Sequence, residues 1–319
     1  MSDSALERPT VLVTGAAGSL ARRVIARLHG SCRLIAADFR HRVDTDSGIA
    51  SYKVDVQSGG FEGIFRRHSI DAVLHLGRIF PHQSTRLHRY NANVLGTRRL
   101  LELCLKYDLS QVLIHSTYYV YGASPYNPAL LTEDSPLKAS EITQDLIDAV
   151  ELENLAQIWL WKHPEIRLGI LRPCNILGPG VRNSMSLLMA RRIAPTVAGH
   201  SPMMQFLHVD DMAKAVVRAY EGGAHGVFNV APDRYLPYQR ALQLAGCRRL
   251  LVPPVPPQAA GLLSRALNWG AFFPPYLVNY FKYPVLLDGS LFAQRFGWRP
   301  EQPAKDVLAY YRLRKQRGS

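Results

Sequence analysis

Short apolar runs alternate with amphipathic stretches along the chain up to about residue 178. The apolar runs predict β-strands, at residues 10–14, 33–37, 50–54, 72–76, 111–116 and 166–171. Apolar positions at helical spacing predict helices, at residues 19–28, 85–107 and 141–162. This regular alternation is typical of an α/β domain built on a parallel sheet.

The pattern changes after residue 178. Prolines cluster at 253–257 and 274–275, and aromatic residues are dense from 269 to 283. We assign residues 1–178 to the main domain, together with a return segment, 206–231, that holds a further strand at 226–230. Residues 179–205 and 232–319 are predicted to form a smaller lobe, of the kind that makes the second wall of a ligand crevice.

The composition is globular, because hydrophobic residues make up 47% and charged residues 20% of the 319. The four cysteines stand far apart, so we expect no metal site and no disulfide framework, in a reducing compartment. The polar first residues do not resemble a signal peptide, and no run of about 18 uncharged apolar residues occurs. A cytoplasmic location is expected.

The formal net charge of +13 favours anionic partners, such as nucleotides, acidic lipid surfaces or nucleic acid. The positive charges are spread along the chain, apart from the C-terminal run RLRKQRGS. Nucleic-acid binding is therefore not expected, since it needs a clustered basic face.

The most specific motif is TGAAGSLA, residues 14–21, between the first predicted strand and the first predicted helix. Gly15 permits a tight turn, and Gly18 lets the backbone approach a pyrophosphate. The helix N-terminus offers free N–H groups and a partial positive charge to phosphate. We expect cofactor contacts at Gly15, Ala17, Gly18, Ser19 and Leu20. The motif predicts an α/β fold of the Rossmann type, a doubly wound parallel sheet with a smaller C-terminal substrate lobe.

Asp38 follows the second predicted strand, about 20 residues after the loop, where ribose hydroxyls are bound. A carboxylate there accepts two hydroxyls and repels a 2′-phosphate, which favours NAD. Arg40 and Arg42 can offset that repulsion, so NADP is the alternative. Asp55 and Val56, after the third predicted strand, suit an adenine edge, although Asp55 also fits an ordinary turn.

Further motifs follow in order: AVLHLG (72–77), NVLGT (93–97), ST before VYG (116–122), ILRPCNILGPG (170–180), FLHVDDMAKAV (206–216) and FGWRP (296–300). With TGAAGSLA and the Asp-Val pair, they make the chain resemble the extended short-chain dehydrogenase/reductase family, in its nucleotide-sugar epimerase and dehydratase group. The resemblance covers nearly the whole chain. It implies an NAD(P) cofactor and hydride transfer on a small-molecule substrate.

The resemblance also implies roles for single residues. Thr117 stands where the family has a hydroxyl that bonds the reacting oxygen, with Ser116 beside it, and Asn175 falls near the substrate. The remaining cofactor candidates are Leu76, Gly77, Asn93 and Pro173. Each residue also has a structural interpretation, as the end of a strand, a bridge within a helix or a loop restraint.

The family's main catalytic residues are a Tyr-x-x-x-Lys pair on the long helix after VYG, in which the lysine lowers the pKa of the tyrosine. This chain lacks the pair on that helix. Residues 141–161 contain no tyrosine and no lysine, and the positions of the pair fall near Asp145 and Ala149. The Tyr-x-x-x-Lys at 311–315 lies in the basic tail, and we assign it to chance.

Other residues can replace the missing pair. Asp145 or Asp148 can carry a proton, although both also suit a helix surface. Tyr118 or Tyr119, directly after Thr117, can supply a phenol. The catalytic candidates are therefore Thr117, Ser116, Tyr118 and Tyr119.

A second departure concerns the substrate. The family usually carries a diphosphate-binding arginine two residues before Phe206, where this chain has Met204, and a second arginine where this chain reads NYFKYP (279–284). Loss of guanidinium contacts weakens the case for a diphosphate and favours an apolar pocket or surface. His208 is a candidate acid or donor, or a structural histidine. The substrate-binding candidates are Asn175, Met204 and His208.

The stretch 262–287 is rich in apolar and aromatic residues and has three interpretations. It is a packed core of the smaller lobe, a lipid-like substrate pocket with peripheral membrane contact, or a partner interface. The resemblance also implies that the two long helices can pair in a homodimer. Apolar positions that suit this pairing, or packing on the sheet, are Leu146, Ile147, Val150, Leu155 and Ile158.

Two functions stay open. The first is an atypical NAD(P)-dependent enzyme, an oxidoreductase or epimerase/dehydratase, whose substrate is more apolar than a nucleotide sugar. The second is an inactive dinucleotide-binding pseudoenzyme that acts as a sensor or interaction module. The glycine loop together with Thr117, Asn93 and Asn175 favours the first. The missing Tyr-x-x-x-Lys favours the second.

Overall fold

The computed structural model describes residues 8–43, 48–254 and 276–317. Its main feature is a seven-stranded parallel sheet. In chain order, the strands of this sheet are β1 (Thr10–Thr14), β2 (Arg33–Asp38), β3 (Ala50–Lys53), β4 (Ala72–His75), β5 (Gln111–His115), β6 (Arg167–Pro173) and β11 (Gly226–Val230). Their spatial order is β11-β6-β5-β4-β1-β2-β3, which confirms the expected α/β sheet of the Rossmann type.

The remaining strands pair outside this sheet. They are β7 (Asn175–Leu177), β8 (Ile193–Val197), β9 (Met203–Met204), β10 (Phe206–His208), β12 (Leu236–Pro237) and β13 (Arg248–Val252). β7 pairs with β10 and β8 with β13 in parallel, and β9 pairs with β12 antiparallel. The division of the chain into two lobes stays a prediction.

Helices cover the sheet and connect its strands. They are α1 (Ser19–Leu28), α2 (Gly59–Arg67), α3 (Arg86–Tyr90), α4 (Gly96–Lys106), α5 (Ala139–Ile142), α6 (Ile147–Lys162), α7 (Ser184–Met189), α8 (Val209–Glu221), α9 (Tyr238–Leu244), α10 (Leu277–Tyr280), α11 (Ser290–Phe296) and α12 (Ala304–Arg317). None of those in the described ranges combines the length and hydropathy needed to cross a membrane.

Both faces of the sheet are buried, which is why its strands read as continuous apolar runs. Side chains alternate along β1, so Val11 and Val13 enter one hydrophobic core and Leu12 enters the other. α1 faces the first core with an apolar stripe at helical spacing, Ala21, Val24, Ile25 and Leu28. The sheet is therefore the shared wall of two cores.

The chain leaves β1 toward β2 and β3 on one side, and returns to β4 on the other side of β1. At such a reversal, the connections after neighbouring strands run in opposite directions and leave a crevice at the carboxyl ends. The fold therefore places a binding crevice above β1 and β4.

Both long predicted helices are interrupted. The first divides into α3, a π-helical turn at Asn91–Leu95, and α4. The second breaks at Thr143, which is extended (φ −152°, ψ 136°) and whose hydroxyl accepts a hydrogen bond from the Asp145 N–H at 3.2 Å. Asp145 consequently lies in a 3₁₀ turn, Gln144–Leu146, before α6 begins.

Helix α2 was not predicted from the sequence. Its segment, GGFEGIFRR, contains three glycines, and glycine is a poor helix former. Burial of Phe61, Ile64 and Phe65 against the sheet overrides that preference.

The apolar stretch 262–287 is only partly described, because residues 262–275 lie outside the described ranges. In the remainder, Leu277, Val278, Tyr280 and Phe281 are buried. The hydroxyl of Tyr280 donates to the carbonyl of Tyr119 at 2.6 Å. This part packs as core, and the pocket, membrane and interface interpretations of the whole stretch stay predictions.

Candidate functional site

A cleft of about 370 Å³ opens at the carboxyl ends of β1 and β4. The predicted site residues that line it are Gly15, Ala17, Gly18, Ser19, Leu20, Asp38, Arg40, Asp55, Val56, Leu76, Gly77 and Asn93. The lining does not include the other predicted residues, which are Ser116, Thr117, Tyr118, Tyr119, Pro173, Asn175, Met204 and His208. The structure thus brings the cofactor candidates together around one crevice, apart from Pro173, and leaves the catalytic and substrate candidates off its described wall.

The glycine loop turns tightly between β1 and α1. Gly15 has a φ of +67°, and its carbonyl accepts a hydrogen bond from the Gly18 N–H at 2.9 Å. A Cβ on Gly15 would lie 2.3 Å from the Cα of Gly77. The two backbones can approach so closely because both residues are glycine and have no side chain. The space above them stays free for a ligand.

The N-terminus of α1 faces the same cleft. Gly18 is its capping residue and provides no side-chain hydrogen bond, so the first N–H groups are left for a ligand. The hydroxyl of Ser19 donates to the carbonyl of Pro179 at 2.9 Å. The loop after β7 is thereby held against the start of α1.

Asp38, at the end of β2, is joined to the glycine loop. One carboxylate oxygen accepts from the Ala17 N–H at 3.2 Å, and the other accepts from the Arg40 N–H at 2.9 Å. The side chain of Arg40 lies over the Phe39 ring and bonds the amide oxygen of Gln83. The carboxylate is therefore fixed at the edge of the cleft, and Arg40 is occupied by other partners.

Asn93 lies in the π-helical turn and links three segments. Its amide oxygen accepts from the Ile79 N–H at 2.9 Å, and its amide nitrogen donates to the Ile79 carbonyl at 2.9 Å. The same nitrogen donates to the Asp148 carboxylate at 2.6 Å. Asn93 thus positions the segment after β4 against α6, which is a role that the sequence pattern did not indicate.

The candidate phenols are buried and neutral. The hydroxyl of Tyr118 donates to the side-chain oxygen of Asn175 at 2.8 Å, and burial raises the pKa of Tyr118 well above its usual value. Burial also raises the pKa of Tyr119 to about 12. The hydroxyl of Thr117 accepts from the Tyr119 N–H at 3.4 Å. Tyr118 is thus a neutral donor, and the catalytic roles of Tyr118, Tyr119 and Thr117 stay predictions.

The remaining candidates off the cleft, Met204, His208 and Pro173, have structural partners. Met204 is buried in β9, where it pairs with Leu236 of β12. His208 caps α8, because its Nδ1 accepts from the Asp210 N–H at 3.2 Å, and burial lowers its pKa. Pro173 ends β6 beside Val230. Their contacts with substrate or cofactor stay predictions.

Two cleft residues were missed by the sequence reasoning. Arg78 directly follows AVLHLG, and His115 directly precedes Ser116 and Thr117. Both line the cleft. The available signal was a charged residue and an imidazole at the carboxyl ends of two central strands, where functional side chains gather.

Comparisons with known proteins agree with this geometry. The pattern of the NAD dependent epimerase/dehydratase family matches residues 11–231. An uncharacterized protein of Mycobacterium tuberculosis is 28% identical over 311 residues, which cover 94% of this chain and 82% of that protein. A UDP-glucose 4-epimerase of Oryza sativa is 26% identical over 250 residues, which cover 66% of this chain and 67% of that one.

Solved structures share the fold. The crystal structure of a UDP-glucose 4-epimerase from Thermotoga maritima with UDP-glucose superposes with a TM-score of 0.77 at 18% identity, covering 97% of this chain and 100% of that chain. The family description names NAD, in agreement with the cofactor expected from the glycine loop and Asp38. With its parallel sheet, its glycine loop and the match over most of its length, the chain belongs to the NAD-dependent epimerase/dehydratase family.

Proposed function

We propose that this protein binds NAD in the cleft and transfers hydride between NAD and a small-molecule substrate, as an oxidoreductase or in an epimerase or dehydratase type of reaction. The observation that carries the proposal is the hydrogen bond of 3.2 Å that joins Asp38 to the glycine loop through Ala17. It holds a ribose-binding carboxylate beside a helix N-terminus suited to phosphate.

The residues present fit a dinucleotide. A Cβ on Gly15 would clash with the backbone of Gly77, so the tight loop needs glycine there, and α1 presents uncapped N–H groups to the cleft. Gly18 and Ser19 would hold the diphosphate, and Asp38 the ribose hydroxyls. When bound, NAD supplies the hydride acceptor. The chain's own contribution is to orient the dinucleotide and to keep water from one of its faces.

Replacing Asp38 with serine tests the choice of cofactor. We expect calorimetric titration to show a loss of NAD affinity of about tenfold or more, since hydrogen bonds to a charged group contribute about 1.5–3 kcal/mol. NADP should gain affinity relative to NAD, because the repulsion of its 2′-phosphate by the carboxylate is removed. Asp134→Ser, at an exposed carboxylate outside the cleft lining, is the control and should leave both affinities unchanged. Equal NAD affinity in Asp38→Ser and the parent would contradict the assignment.

We also propose a substrate more apolar than a nucleotide sugar, because Met204 stands where the family usually has an arginine. The pseudoenzyme alternative is supported by a specific observation, the absence of tyrosine and lysine from residues 141–161. An assay of nicotinamide absorbance, with secondary alcohols and NAD or ketones and NADH, separates the two. Turnover of any alcohol or ketone in this panel supports the hypothesis that the protein is an enzyme. Tight NAD binding without turnover across the panel supports the pseudoenzyme.

A homodimer through α6 is a further proposal. Leu146 and Val150 face the chain's own core, whereas Ile158 and Trp161 are 61% and 83% exposed. We expect Trp161→Glu to shift the protein from dimer to monomer at micromolar concentration, because it places a charge in an apolar contact. Tyr126→Glu is the matched control at an equally exposed aromatic residue, 90% exposed. Sedimentation that shows the parent as a monomer would rule the dimer out.

A further inference from the structure

A guanidinium nitrogen without a hydrogen-bond partner among the described residues lies beside the cleft. The Nη1 of Arg78 is buried and has no hydrogen-bond partner in the described part of the chain. Arg78 lines the cleft just after β4. A buried polar group without a partner is rare in a folded protein and calls for an explanation, such as a ligand that completes it.

The neighbouring carboxylates are already paired. Arg172 makes two hydrogen bonds to Glu153, at 3.2 Å and 3.1 Å. Arg89 lies 3.6 Å from Asp148, which also accepts from Asn93. Asp148 and Glu153 are the carboxylates whose charges act on Arg78, and both already have other arginine partners. Neither makes a hydrogen bond to the buried Nη1 of Arg78.

Neutral donors lie close to this charge. Both ring nitrogens of His115, and the hydroxyl of Ser116, are buried without a hydrogen-bond partner among the described residues. Burial and the charge of Arg78 lower the pKa of His115 to about 3. The imidazole is therefore neutral, with one nitrogen able to donate. His115 also lines the cleft, at the end of β5.

We propose that Arg78 and His115 form a subsite that binds an oxyanion of the substrate, a carboxylate or a phosphate. A planar guanidinium binds such groups with two parallel hydrogen bonds. The subsite lies at β4 and β5, and Asp38 lies at β2, on the far side of β1. The inference rests on the proposed function, since NAD would occupy the glycine loop and leave this end for substrate. The substrate is thus an apolar molecule that carries an anionic group.

Calorimetric titration with simple probes tests the subsite. Butanoate and inorganic phosphate are the anionic probes, and butanamide is the uncharged control. We expect at least one anion to bind the NAD-loaded protein about tenfold more tightly than butanamide. Arg78→Met, titrated at saturating NAD, should lose that preference, and its NAD affinity is measured alongside. Arg98→Met, at an exposed arginine paired with Glu102, should change neither the anion preference nor the NAD affinity.

Thermal unfolding gives a second readout that does not depend on NAD. Arg78→Met should raise the melting temperature of the ligand-free protein, because it removes a buried guanidinium nitrogen that has no hydrogen-bond partner in the described part of the chain. Arg78→Lys should keep part of the anion preference. A lower melting temperature for Arg78→Met would overturn the proposal, since it would mean that the charge is already compensated.

The outcomes separate this subsite from the proposed function. NAD binding without an anion preference overturns the subsite and leaves the function standing. Anion binding without NAD binding supports the subsite and overturns the function. If Arg78→Met loses NAD affinity but keeps the anion preference, Arg78 serves the cofactor and the subsite is wrong.

Discussion

Substitution of Gly15 by alanine is expected to lower NAD affinity at least about 100-fold, a loss of about 2.7 kcal/mol or more. The new Cβ would lie 2.3 Å from the Cα and 2.5 Å from the nitrogen of Gly77, so backbone atoms on both sides would have to separate. The φ of +67° adds strain, because left-handed backbone costs residues other than glycine about 1–2 kcal/mol. The loop would then move into the space that the dinucleotide needs.

Calorimetric titration with NAD measures this effect, and circular dichroism establishes that the variant is folded. Gly63→Ala is the matched control, since Gly63 lies in α2 and a Cβ there meets nothing within 4 Å. It should leave NAD affinity unchanged and stabilise the helix by about 0.5–1 kcal/mol. A Gly15→Ala protein that binds NAD within threefold of the parent would show that the loop is not the cofactor cradle.

Removing Arg172 should have the largest effect on stability. Its side chain is 1% exposed and that of Glu153 is 0% exposed, and two hydrogen bonds join them. Arg172→Met leaves a buried carboxylate without its partner, which typically costs about 3–5 kcal/mol of unfolding free energy. Arg172 also donates to the Tyr121 hydroxyl and the Glu133 carbonyl, so further acceptors lose their donor.

Denaturant-induced unfolding of the parent and variants measures this loss. The double variant Arg172→Met/Glu153→Met should recover a large part of it, because no buried charge is then unpaired. The exposed pair Arg98–Glu102 supplies the matched control, where Arg98→Met should cost about 0.5 kcal/mol or less. A loss below about 1 kcal/mol for Arg172→Met alone would mean that the pair is solvated or replaceable.

The cofactor end of the site was predictable from the sequence because its signals are local. The glycine loop and Asp38 depend on residues near one another in the chain and on the strand before each. The structure places them together on one crevice and joins them through Ala17. The family follows from the same motifs, and the match over residues 11–231 confirms it.

The substrate end was less predictable because it depends on tertiary contacts. No local pattern showed that Asn93 would bond Ile79 and Asp148, or that Thr143 would break the second long helix. The position of Arg78 after a central strand could have marked it as a cleft residue, but the sequence could not show that its Nη1 lacks a partner among the described residues. Only the structure shows that the nearby carboxylates, Asp148 and Glu153, already pair with Arg89 and Arg172.

The π-helical turn at Asn91–Leu95 has a consequence for how chains of this type can differ in length. Such a turn holds one residue more than an α-helical turn, so deletion of one residue would restore a regular helix. The wider π turn and an α turn both close about one full turn, so the helices on either side would keep nearly the same facing. The side chains inside the turn would change direction instead, among them Asn93, which bonds Ile79 and Asp148. A chain that lacks this residue must therefore hold the segment after β4 by other means.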